Sequence, residues 1–171
     1  MELTEIVIAI AAFIGAALGI YNLFRSHLNE RVRLRVIPKG SSFMDTDELG
    51  KEFYFTSEHH YNVDGPNPAD TLALEIINLS RFAVIVDDVG LDCRGGRPRM
   101  ALASPILPDG GDWPRKLDAR DSVTVHFDSS RLLGLEDIGA VRRAYASTRC
   151  GTTRYGTSGA LKDFIRIASA R

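Results

Sequence analysis

The chain has 171 residues, 44% of them hydrophobic and 25% charged, with a formal net charge of -1, which is the profile of one ordinary globular domain or slightly less. That length excludes a large multidomain enzyme, and the composition excludes a disordered chain, a collagen-like repeat and a nucleic-acid-binding tail.

The first predicted element is a membrane-spanning helix. Ile6 to Phe24 are 19 consecutive positions without a charge, and at 1.5 Å per residue they make about 28 Å of helix against a hydrocarbon core of ~30 Å. Residues 1–5 are then an external N-terminus, 6–24 the span, 25–30 a juxtamembrane stem and 31–171 the folded domain. A cleaved signal peptide needs a basic start and a small-x-small cleavage site; here Glu2 and Glu5 come first and Arg25 follows, so the helix reads as a retained anchor. Within it Gly15-Ala-Ala-Leu-Gly19 is a GxxxG motif. Ala11, Ala12, Gly15, Ala16 and Gly19 share one helix face with Asn22 beside them, a surface smooth enough to pack against a second helix. That face implies a helix-mediated homodimer or a partner membrane protein; its simple alternative is that alanine and glycine are common in membrane helices.

The stem and the start of the next element hold Arg25, Arg31, Arg33, Arg35 and Lys39 against Glu30. Basic residues stay on the cytoplasmic side. The expected location is therefore the cell (inner) membrane as a single-pass protein, N-terminus outside and C-terminal domain in the cytoplasm. The five cations form a membrane-surface basic cluster, each placed to meet anionic headgroups for ~1 kcal/mol, unless they serve as a topology signal alone. Residues 40–171 carry 16 basic and 19 acidic side chains, a balance of -3, so the lipid bilayer is an expected partner and nucleic acid is not. Cys93 and Cys150 are isolated thiols, expected to be reduced. In the inverted, exported orientation they could pair, and Asn78-Leu79-Ser80 would be a glycosylation acceptor.

Alternating or Val-rich runs follow at Val32–Val36, Phe53–Thr56, Leu72–Ile77, Ala83–Val86 into Val89 and Leu91, Met100–Ala103, Val123–Phe127 and Val141–Thr148, giving seven or eight strands. Turn-forming clusters lie at Pro38-Lys-Gly40, Asp64–Pro68, Arg94–Pro98, Pro108–Gly111 and Asp118–Asp121. Many short strands without alternating long helices predict an antiparallel β-sandwich. A short C-terminal helix follows, with Leu161, Phe164, Ile165 and Ala168 at helical spacing and Ser158 as its cap. The fold class is thus mainly β, with an N-terminal transmembrane helix and a C-terminal helix. The anchor, the Arg-rich first strand, the Leu-Glu-Ile-Ile-Asn-Leu-Ser stretch before a Val-rich strand and the Pro-x-x-Leu turn leading to Val-Thr-Val together resemble small bacterial or prophage-encoded single-pass proteins with an immunoglobulin-like domain. The resemblance implies that architecture and brings no activity or functional residue with it.

Chemical motifs are sparse. His59-His60 could suggest a metal or a general base, but adjacent strand residues face opposite ways, so the two read as a surface or loop pair rather than ligands of one ion. Asp45-Thr-Asp-Glu-Leu-Gly50 starts like a calcium loop but places Leu49 at a ligand position and Thr56 where a bidentate acid is required, leaving an acidic turn. Gly151–Gly156 has phosphate-loop glycine spacing without the lysine and reads as a hairpin. No nucleophile elbow, metalloprotease helix or dinucleotide fingerprint is present, so neither catalytic residues, a metal nor a cofactor is expected. Arg94, Arg97 and Arg99 could form an anion-binding loop, or a solvated hairpin tip beside Asp87, Asp88 and Asp92. Trp113 either plugs one end of the sandwich or serves as an interaction hot spot. The leading expectation is a membrane-anchored, non-enzymatic interaction or adaptor module. The alternatives are a tethered enzyme or ligand sensor using His59, His60 and the Arg94 loop, and an exported surface domain.

Overall fold

The computed structural model describes residues 3–48, 52–62, 69, 71–102, 105–128, 132 and 138–170. The chain divides into two compact units, Met1–Val32 and Arg33–Arg171.

The first unit is helix α1, Leu3–Asn29, which continues through residues 25–29 of the polar stem. Its stretch Ile6–Ser26, with a mean hydropathy of 2.2, is long and apolar enough to cross a membrane.

The second unit is mainly β. In chain order its elements are β1 Leu34–Thr46, β2 Glu52–Ser57, β3 Thr71–Asn78, β4 Val84–Cys93, β5 Met100–Ala101, β6 Arg115–Leu117 and β7 Ser122–Asp128. A 3-10 turn, Ile138–Ala140, then leads into β8 Val141–Thr148, β9 Thr153–Gly156 and helix α2 Gly159–Ser169. All pairings are antiparallel. One sheet has the order β2-β1-β3-β7; the other runs β5-β4-β8-β9, with β6 also on β4.

Period-2 alternation explains which side chains are inside. The register Leu72↔Phe127, Leu74↔Val125 and Ile76↔Val123 sets six apolar side chains on one face of the first sheet, all buried. Val89, Leu91, Ala144 and Ala146 do the same for the second. Helix α2 starts as expected: the Ser158 hydroxyl oxygen accepts from the Leu161 N–H at 3.1 Å, and Ala160, Leu161, Phe164 and Ala168 are buried on its inner stripe.

One turn prediction is overturned. Pro38-Lys-Gly40 lies inside β1, where Pro38 pairs with Leu74 and Gly40 with Leu72. Pairing with β2 begins only at Gly40, so β1 has a single strand neighbour at Pro38, the kind of position a proline tolerates. Gly40 serves close approach rather than turning, since a Cβ there would stand 2.9 Å from the His60 carbonyl oxygen. Gly156 has the same role at the junction of β9 and β1, where a Cβ would overlap the Val36 carbonyl. β2 ends at Ser57, so His59 and His60 form an exposed pair in the segment that follows it.

Candidate functional site

The distinctive surface of the β unit is the β1–β2 hairpin. Pairing runs from Gly40↔Ser57 to Thr46↔Glu52, with a bulge between Phe43 and Asp45. Alternation puts Phe53 and Phe55 on one face and Tyr54 on the other, where it sits opposite Phe43. The Tyr54 face is anchored. Its ring stacks on buried His126 at 4.0 Å, its hydroxyl donates to Glu52 Oε2 at 2.6 Å, and His126 Nδ1 lies 3.1 Å from the Ser41 hydroxyl. The remaining large side chains face water: Phe43 is 46% exposed, Met44 58%, Phe53 47% and Phe55 57%. Among the described residues outside α1, only Leu79, Phe82 and Ile106 are also large, apolar and exposed, so the hairpin concentrates most of the apolar surface the domain leaves in solvent. The same stretch of sequence carries Asp45, Asp47, Glu48 and Glu52 against Lys51. Exposed apolar clusters with a polar rim mark interaction sites.

A second constellation occupies the outer face of the other sheet. Asp92 takes Arg143 at 2.7 Å and Arg99 at 3.4 Å. Both guanidinium groups lie over the Tyr155 ring, Arg143 at 3.6 Å and Arg99 at 5.3 Å, and Arg99 also donates to the Tyr155 hydroxyl. Tyr145, 1% exposed, donates to Asp88 Oδ2 at 3.0 Å. Burial, reinforced by the Asp88 carboxylate, pushes the Tyr145 phenol well above the ordinary range. Its contribution to stability is therefore fully present below about pH 10 and is lost as the pH rises through the higher folded value. Arg99 and Arg143 thus share the one carboxylate of Asp92.

This network separates residues that the sequence grouped. Arg99 is drawn onto Asp92 and the tyrosines, while Arg94 and Arg97 stay in the exposed turn after β4. His59 Nε2 lies 3.8 Å from Glu58 and His60 Nδ1 lies 3.5 Å from Asp163, with both rings about four-fifths exposed. Among the described residues no three His, Cys, Asp or Glu side chains gather as a metal site would require. Of the five basic-cluster residues, Lys39 pairs with Glu75 at 3.2 Å; Arg25, Arg31, Arg33 and Arg35 are exposed. Ala11, Ala12, Gly15, Ala16, Gly19 and Asn22 are all exposed on α1, and a Cβ on either glycine would meet nothing within 4 Å. Cys93 and Cys150 are both free thiols; the Thr148 hydroxyl, 3.1 Å from the sulfur, holds the Cys150 thiol below its ordinary value. Trp113 is half-buried just before β6. Asn78 is fully buried and so offers no attachment point for a glycan in the folded domain.

A cleft of about 450 Å³ opens between the start of β1 and the connection from β9 to α2, with Arg35, Ile37, Glu58, His59, Thr157 and Ser158 on its walls. Ser158 is already engaged as the α2 cap, and Glu58 and His59 stand largely in solvent beside each other. The hairpin surface escaped the sequence reading, although Phe43-Met44 and Phe53-Tyr-Phe55 signalled more apolar residues than one buried face can use. No family model, no curated protein and no solved structure matches this chain.

Proposed function

We infer that this protein is a membrane-anchored interaction module whose working surface is the apolar end of the β1–β2 hairpin. Met44 and Phe55, more than half exposed in a domain that buries most of its other large apolar side chains, carry the reading. The anchor is α1, with its N-terminus outside and the β unit in the cytoplasm, because four net positive charges follow the apolar stretch within fifteen residues while two acids precede it. The helices of two copies pack through Gly15 and Gly19, whose small size lets backbones approach where lipid supplies no hydrophobic driving force. Gly15→Ile/Gly19→Ile keeps the span apolar and should abolish that association in a membrane-association reporter.

The test of the working surface is photo-crosslinking in cells. A benzophenone side chain at position 55 is expected to give a discrete adduct that disappears in a Met44→Gln background, while the same group at exposed Arg142 gives none. Equal crosslinking from both positions would remove the hairpin from the account.

A further inference from the structure

We propose that the β1–β2 hairpin docks a basic, apolar polypeptide segment of a partner chain. This rests on the hairpin being the working surface and adds the partner's chemistry.

Charge distinguishes the partner. Between Phe43 and Ser57 there are four acids, Asp45, Asp47, Glu48 and Glu52, and one base, Lys51, a local balance of -3 that equals the balance of the whole 40–171 region. Asp45, Glu48, Met44 and Phe55 are all exposed, so apolar and acidic groups reach solvent together. Three kinds of occupant would cover apolar side chains, and the rim discriminates among them. An anionic leaflet repels it and lies within one Debye length of any hairpin inserted far enough to bury Phe55. A second copy meeting the first across a two-fold axis would set each acidic rim against its own image. A chain with arginine or lysine beside its apolar residues gains from both features. Geometry favours an extended segment: β2 is the terminal strand of its sheet order, and a strand laid along it would continue the Phe53 and Phe55 row with its own apolar face while its other residues meet the rim.

The experiment uses the full chain in phosphatidylcholine nanodiscs and two fluorescein-labelled peptides, one of alternating Arg and Leu and one of alternating Glu and Leu. The Arg-Leu peptide is expected to bind, to weaken severalfold when NaCl is raised from about 0.05 to about 0.3 M, and to weaken roughly tenfold or more on Met44→Gln/Phe55→Thr. Asp45→Lys/Glu48→Lys should turn the preference toward the Glu-Leu peptide. If the apolar variant weakens both peptides and charge reversal changes nothing, the basic partner is excluded while the hairpin remains an interaction surface. Both readings fall if neither variant matters. Quenching of a Phe55→Trp chain by brominated phosphatidylglycerol, or dimers lost on Met44→Gln/Phe55→Thr, would overturn the proposal in favour of the bilayer or a second copy.

Discussion

Replacing Phe164 with alanine is expected to lower the unfolding free energy of the β unit by about 3–5 kcal/mol, a large part of the ~5–15 kcal/mol available to a domain of this size. Phe164 is fully buried and meets Tyr61, 4% exposed, edge to face at 5.1 Å. The pair is the apolar anchor between α2 and the segment after β2; beside it the Ala160 N–H donates to the Glu58 carbonyl at 3.1 Å. Truncation leaves a cavity and removes the apolar packing of Tyr61 on the helix. Urea denaturation of a 31–171 fragment, whose circular dichroism should be mostly β, gives the number. Arg166→Ala is the internal comparison: it removes an exposed ion pair with Asp163 and should cost under about 1 kcal/mol.

The second large effect is expected at Asn78, which ties the β3–β4 connection to the β6–β7 connection. Its amide nitrogen donates to the carbonyls of Phe82 at 2.8 Å, Asp118 at 2.9 Å and Leu117 at 3.2 Å, and its oxygen accepts from the Ser80 N–H at 2.9 Å. Asn78→Ala removes these four hydrogen bonds from groups that are buried or part-buried, each worth about 0.5–1.5 kcal/mol. Asn78→Asp keeps the shape but turns a donor toward three carbonyl oxygens into a carboxylate. The repulsion raises the folded pKa of that acid above its unfolded ~3.9, so the stability of this variant is highest in acid and falls as the pH rises through the folded value. Denaturation midpoints of the two variants at about pH 4 and pH 8 separate the outcomes: Asp should recover toward wild type in acid and Ala should not.

The parts of the fold legible in the sequence were those where a local pattern had only one physical use. A charge-free run of 19 residues has few fates besides a long apolar helix, and the alternation in β3 and β7 and the Ser158 cap of α2 each fixed an element from neighbouring residues. What failed depended on distant neighbours. Pro38 and Gly40 look like a turn, yet a β3 partner more than thirty residues away holds them in a strand. Arg99 pairs with Asp92, one of the acids the sequence set beside its loop, but the two tyrosines from β8 and β9 under its guanidinium come from distant strands. Exposure is likewise a global property: Phe53 and Phe55 have the same spacing as buried strand residues, yet they are 47% and 57% exposed on the terminal strand of their sheet.

The account rests on Met44 and Phe55 being surface that the fold does not need. The measurement that tests this most directly is the unfolding free energy of Met44→Gln/Phe55→Thr in the 31–171 fragment, compared with wild type in the same urea titration. A change within about 1 kcal/mol, with binding to the Arg-Leu peptide lost, is the predicted result. A loss approaching the ~3–5 kcal/mol of a core aromatic would show that these side chains belong to the core, and would contradict the account.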